Sequence, residues 1–252
     1  MSKMRVALVT GGSRGIGLEV ARRIARNGHH VVLVARDVET LESENTKITS
    51  MGGTSEIFSV DFLQKNSVQA LQNFLEKRHL SPTILINALG GGFGSSHFDK
   101  LQKFEEVMRL NFFVAHELTK LVLENAKIEG WGRFIYFGTL AVNQKSASAP
   151  YIAAKSALIE YMKTINKEMC KISPNIMAAA VSPGAISVPG KYLSKIEEAE
   201  PHKLVQFLSD NNIPVGRLGT TEEVAEVVSF LCQERNNYLH GCNIQIDGGA
   251  SN

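Results

Sequence analysis

Tyr151 and Lys155 stand four residues apart in a stretch with helical periodicity, so they share one helix face. A free phenol has a pKa of about 10 and is a poor base at neutral pH. A neighbouring ammonium favours the phenolate and lowers that value. The pair is therefore suited to moving a proton to or from an oxygen. Ala154, Leu158, Met162, Ile165 and Met169 mark the buried stripe of the same helix, and Tyr151 and Lys155 border it. A tyrosine packed under a snorkelling lysine would give the same spacing without chemistry. Asn111 sits on another apolar stripe, with Val107, Val114, Leu118 and Leu121. A polar amide there must find partners.

The second group of residues is a turn. Thr10-Gly11-Gly12-Ser13-Arg14-Gly15-Ile16-Gly17 follows an apolar β-type run and opens a helical pattern. Glycines let backbone turn tightly and come close to a pyrophosphate, which the free N–H groups and the dipole of a helix start then hold. At the end of the next strand, dinucleotide sites for NAD place an acid on the ribose 2′-OH, and sites for NADP supply arginine for the 2′-phosphate. Here that strand ends Val34-Ala35-Arg36, with no acid at position 35. Arg14 and Arg36 could each offer a fork of donors to a phosphate. Asp37 is the competing feature, because a shift of one residue would put a carboxylate near the ribose.

These residues need a frame, and the chain alternates short apolar runs with longer helical patterns. Strands are expected at 5–10, 31–35, 56–60, 83–87, 133–137, 176–181 and 243–246. Helices are expected at 15–27, 38–51, 67–77, 104–125, 151–172 and 221–232. Strand–helix alternation over the whole length implies an α/β fold. The expectation is a single doubly wound Rossmann-type domain over residues 1–252, with a parallel seven-stranded sheet and helices on both faces. The strands are continuous apolar runs, as burial on both faces requires. Residues 187–214 stand apart: half polar, with mixed charges, and placed after a strand's carboxyl end, where a substrate lid would sit. A surface helix pair without a role is the other reading.

Composition excludes other classes. With 44% hydrophobic and 21% charged residues, the 252-residue chain is of ordinary globular make-up. The net charge of +2 is spread along it without a basic block, which argues against a nucleic-acid partner. No apolar run reaches membrane-spanning length, and the first ten residues read as a strand rather than a signal peptide. Cys170, Cys232 and Cys242 lack CxxC spacing, so neither a disulfide framework nor a zinc site is expected. They fit a reducing, cytoplasmic setting.

The turn reads TGxxxGxG rather than GxGxxG, which resembles the short-chain dehydrogenase/reductase family. The resemblance runs through Asp61, Asn87 and Gly90, Asn111, Tyr151-x-x-x-Lys155 and Pro183-Gly184 to 213–219 and Asp247-Gly248-Gly249. That tail is similar to the 3-oxoacyl-acyl-carrier-protein reductase branch. The resemblance implies an NADP(H)-dependent oxidoreductase acting on a small carbonyl or alcohol, assembled as a homotetramer or dimer. Gly11, Ser13, Arg14, Gly15, Ile16, Gly17, Arg36, Asp61, Asn87, Gly90, Tyr151, Lys155, Pro183, Gly184 and Ile186 would bind cofactor. Asp61 would bond the adenine amino group or else cap the next helix. Asn111 would hold a water that relays protons to Lys155, or bond backbone. Thr139, 12 residues before Tyr151, would take the place of the family's substrate-orienting serine. The chain departs from the family at Asn87-Ala88-Leu89-Gly90, at Val188 where a threonine is common, and at Ala179 where an asparagine is common. A sugar or nucleotide-sugar dehydrogenase and a catalytically weak dinucleotide-binding protein are the rival readings.

Overall fold

The computed structural model describes residues 3–251. Its main sheet has seven strands, all parallel: β1 (Val6–Thr10), β2 (His30–Ala35), β3 (Thr54–Ser59), β4 (Ile84–Asn87), β5 (Gly132–Phe137), β6 (Ile176–Pro183) and β9 (Asn243–Ile246). Two short strands, β7 (Ile186–Ser187) and β8 (Gly219–Thr220), pair separately. The spatial order is β3-β2-β1-β4-β5-β6-β9, so the chain reverses direction across the sheet between β1 and β4. A crevice at the carboxyl ends of strands beside that reversal is where this architecture binds ligands.

The helices are α1 (Gly15–Arg26), α2 (Val38–Ser50), α3 (Ser67–Lys77), α4 (Leu101–Met108), α5 (Val114–Glu129), α6 (Ala141–Gln144), α7 (Ala149–Ile172), α8 (Tyr192–Ala199), α9 (Pro201–Asp210) and α10 (Thr221–Leu231). Strand side chains alternate between the two faces. Val9, Leu33, Ile86 and Ile135 pack with Val20, Ile24, Leu41 and Val228 of α1, α2 and α10. Leu8, Val32, Leu85 and Phe134 pack with Leu71, Leu118 and Leu158 of α3, α5 and α7. Each such buried side chain contributes roughly 1.5–3 kcal/mol. The two apolar layers fix the sheet's carboxyl edge, from which the site is built.

Local signals explain several boundaries. Asp37 caps α2 by accepting from the Thr40 N–H at 3.1 Å and the Thr40 hydroxyl at 2.7 Å. Thr220 and Glu223 form a reciprocal capping box at the start of α10. Pro150 lies in the first turn of α7. The helix expected over 104–125 runs longer and is not uniform: a π-helical turn, Arg109–Phe113, joins α4 to α5. Residues 187–214 hold α8 and α9, a helix pair whose ends are tied down. Ile186 pairs with Gly219 at one end, and the Val215 N–H donates to the Gly248 carbonyl at the other.

At the opposite, amino end of the sheet, Arg133 in β5 is fully buried. Its guanidinium donates to the carbonyls of Gly132, Asn175, Gln233 and Asn236 and to the Asn237 side chain. Trp131 lies against two guanidiniums, Arg5 at 4.3 Å and Arg133 at 4.4 Å from its ring centre. With no carboxylate bonded to it, the buried Arg133 cation is pushed down to about 10.

Candidate active site

The carboxyl ends of β1, β2, β4, β5 and β6 open into one cleft of about 930 Å³, large enough for a cofactor. The glycine turn forms its floor. Gly11 has φ +67°, and a Cβ there would come within 2.8 Å of the Ala88 carbonyl. A Cβ on Gly17 would collide with the Gly11 carbonyl. The sequence thus leaves bare backbone where the turn meets β4 and where α1 begins.

Beyond the turn lie Ala35, Arg36 and Asp37 at the end of β2. The Asp37 carboxylate is spent on Thr40, whose bonds hold it below the usual carboxylate range. Arg14 reaches it only at 3.5 Å and is largely exposed. The acid that competed with Arg36 in the sequence thus serves as the α2 cap while also lining the cleft. Asp61 does not cap α3, whose cap is Asn66; instead it accepts from the Leu63 N–H at 3.0 Å and lines the cleft.

At the other end stand Thr139, Tyr151 and Lys155. Thr139 follows β5, and its Oγ1 accepts from the Ala141 N–H at 3.2 Å. Burial raises the Tyr151 phenol above its ordinary pKa, and a hydrogen bond with the Thr139 side chain opposes this. Lys155 is buried, donates to the Phe137 carbonyl at 2.7 Å and sits 5.8 Å from the Tyr151 ring centre. Desolvation pushes its ammonium down to about 8. Burial dominates both groups and moves them toward their neutral forms.

Gly90 passes between Lys155 and Asn111. A Cβ there would lie 2.9 Å from the lysine Nζ and 2.7 Å from the Asn111 Oδ1. Asn111, in the π-helical turn, donates to the carbonyls of Val107 at 2.8 Å and Gly91 at 3.0 Å, and accepts from the Gly91 N–H at 3.0 Å. Both amide hydrogens are committed to backbone, so the side chain clamps the glycine loop.

Apart from Asn87 and Asn111, every residue expected at the site lines this cleft: Gly11, Ser13, Arg14, Gly15, Ile16, Gly17, Arg36, Asp61, Gly90, Thr139, Tyr151, Lys155, Pro183, Gly184 and Ile186. Asn87 and Asn111 are fully buried behind the wall. Asn87 Oδ1 accepts from the Thr10 hydroxyl, whose oxygen accepts from the Leu89 N–H, both at 3.2 Å, which ties β4 to the glycine turn. Sequence reasoning missed Leu89, Phe93, Leu110, Val60, Lys191 and Leu193, which also line the cleft. Leu89, Phe93 and Val60 follow strand ends, a signal that was available. Leu110, Lys191 and Leu193 reach the cleft only through tertiary packing.

Residues 11–251 match the family model described as enoyl-(acyl carrier protein) reductase. The chain belongs to the short-chain dehydrogenase/reductase family. The 3-oxoacyl-[acyl-carrier-protein] reductase MabA of Mycobacterium tuberculosis is 30% identical over 250 residues, spanning 97% of this chain and 92% of that protein. The corresponding FabG of Pseudomonas aeruginosa is 30% identical over 251 residues, spanning 97% and 96%. The crystal structure of L-sorbose reductase from Gluconobacter frateurii, complexed with NADPH and L-sorbose, superposes with a TM-score of 0.88 at 28% identity. It covers 99% of this chain and 97% of that one. All three are reductases, and this chain shares the fold of the L-sorbose reductase.

Proposed function

We propose that the chain is an NADP(H)-dependent oxidoreductase that interconverts a carbonyl and an alcohol, with Tyr151 as the acid/base. The observation that carries this reading is one cleft lined at one end by Thr139, Tyr151 and the buried Lys155 and floored by the glycine turn. The residues fit a dinucleotide: a bare turn at a helix start, and Arg14 and Arg36 beyond it with no acid at the strand end. The dinucleotide supplies or accepts the hydride.

The protein moves the proton. The substrate oxygen is held between the Thr139 and Tyr151 hydroxyls. In the reductive direction the Tyr151 phenol, kept protonated by burial, donates to the oxygen as negative charge builds on it. The Lys155 ammonium beneath stabilises the phenolate left behind. Asn111 keeps the Gly90–Gly91 backbone in place against Lys155. Residues 187–214 would cover the bound substrate, since Val188, Lys191 and Leu193 line the cleft. The L-sorbose reductase likeness favours a polyol or sugar ketone as a second substrate reading beside an acyl ketone. The three free cysteines suit a cytoplasmic enzyme.

The cofactor reading is tested by titration with NADPH and NADH. Wild type should bind NADPH more tightly, and Arg36→Asp should move the preference toward NADH by about tenfold or more. Tighter NADH binding by wild type overturns the assignment of Arg36.

A further inference from the structure

We infer that Lys191, at the start of α8, grips the dinucleotide's diphosphate from the lid side of the cleft; this rests on the cofactor reading above. Besides its backbone donors, the glycine turn brings the Ser13 hydroxyl and one cation, Arg14, to the cleft. Of the cations lining the cleft, Arg14 and Arg36 lie toward the end of β2, and Lys155 is buried and committed to the Phe137 carbonyl. Lys191 is the remaining lining cation.

Its placement follows from Val188. The Val188 Cγ1 lies 3.1 Å from the position a Cβ on Gly15 would take, so the root of the lid rests directly on the turn. Val188 carries no hydroxyl that could donate there. The Lys191 N–H donates to the Val188 carbonyl at 3.0 Å, and this tight turn brings residue 191 back over the same spot.

The ammonium is also uncommitted. Lys47, Lys103, Lys127, Lys163, Lys171 and Lys203 each pair with a glutamate three residues away. Among the described residues, no carboxylate pairs with Lys191. The residues one turn on are Ser194, whose hydroxyl donates to the Lys191 carbonyl, and Lys195. An exposed, unpaired cation over an anion-binding turn gains a charge-assisted hydrogen bond when a phosphate arrives.

The test is a set of equilibrium titrations on the full chain, with NADPH followed by its own fluorescence and adenosine 2′-monophosphate by calorimetry. The second probe carries the ribose phosphate and lacks the diphosphate. Lys191→Met should weaken NADPH by about tenfold, and Lys191→Arg by less than about threefold. Adenosine 2′-monophosphate should bind both variants as it binds wild type, and the salt dependence of NADPH affinity should be shallower in Lys191→Met. Unchanged NADPH affinity in Lys191→Met overturns the inference, as does an equal loss for both probes. A raised substrate KM with unchanged NADPH affinity reassigns Lys191 to an anionic substrate group and likewise overturns it. Failure of the cofactor reading looks different: wild type prefers NADH, and Lys191→Met weakens NADH by the same factor.

Discussion

Thr139 is the residue on which the proposed chemistry turns most sharply. Its oxygen accepts from the Ala141 N–H, and it lines the cleft together with Tyr151. If it orients the substrate oxygen, the hydroxyl matters and the methyl does not. Thr139→Ser should keep kcat/KM within about tenfold, a barrier change near 1.4 kcal/mol. Thr139→Ala and Thr139→Val should each lose roughly a hundredfold, the scale of one transition-state hydrogen-bond donor. Tyr151→Phe should lose more, because the proton donor itself is gone. A Thr139→Val enzyme as fast as wild type would remove the hydroxyl from the mechanism. At this scale the sequence was readable wherever a motif ties residue type to position, as at Gly11, Gly17, Tyr151 and Lys155. It was unreadable where a side chain had two plausible partners. Asp61 and Asn111 each had a structural and a functional option, and only the coordinates show where their hydrogen bonds go.

The elements were legible from periodicity, and the seven main strands and the six expected helices formed within a few residues of their expected bounds. The π-helical turn was not, because one extra residue in a helix leaves the apolar stripe almost unchanged while rotating Asn111 toward Gly91. The helix pair in 187–214 was only the second reading of that segment, for a related reason. These two helices pack on a few side chains, Phe207 and Leu208 against Leu140, Ile213 and Ala250, and show no long buried stripe. Arg133 was placed only as the first residue of its strand, with no role read from it. It ties β5 to 233–237 through a fan of carbonyls. Arg133→Leu would take this donor from the Asn236 carbonyl and the Asn237 side chain and leave Gln233 with only the Asn236 N–H. Thermal and urea unfolding should show a loss of roughly 2–4 kcal/mol, with cofactor affinity at 25 °C unchanged in the folded fraction. Wild-type stability in that variant would mean the carbonyls find water instead.

At the scale of the whole molecule, the strand order puts the glycine turn and the β4 loop side by side at the reversal point, which is why residues far apart in sequence share one cleft. Assembly is also decided here. Phe112, Phe113, Tyr161 and Met162 were expected to leave an apolar excess on the two long helices. Met162 is instead fully buried in the chain's own core, and Phe112 packs edge-on against Tyr161 at 5.6 Å. Phe113 stays 46% exposed. We still expect a symmetric homo-oligomer through this face. Light scattering at micromolar concentration should give a dimer or tetramer, and Phe113→Asp should shift it toward monomer; a monomeric wild type counts against the expectation. One feature at the far end of the sheet has a spectroscopic consequence. Trp131 is the only tryptophan in the chain. It stands just before β5, whose other end leads to Thr139, on the order of 20 Å away along the strand. Wedged against Arg5 and Arg133, its indole emission should change when the sheet comes apart and stay nearly indifferent to rearrangements around Thr139. The molecule thus carries a built-in optical reporter of unfolding, set well apart from the chemistry.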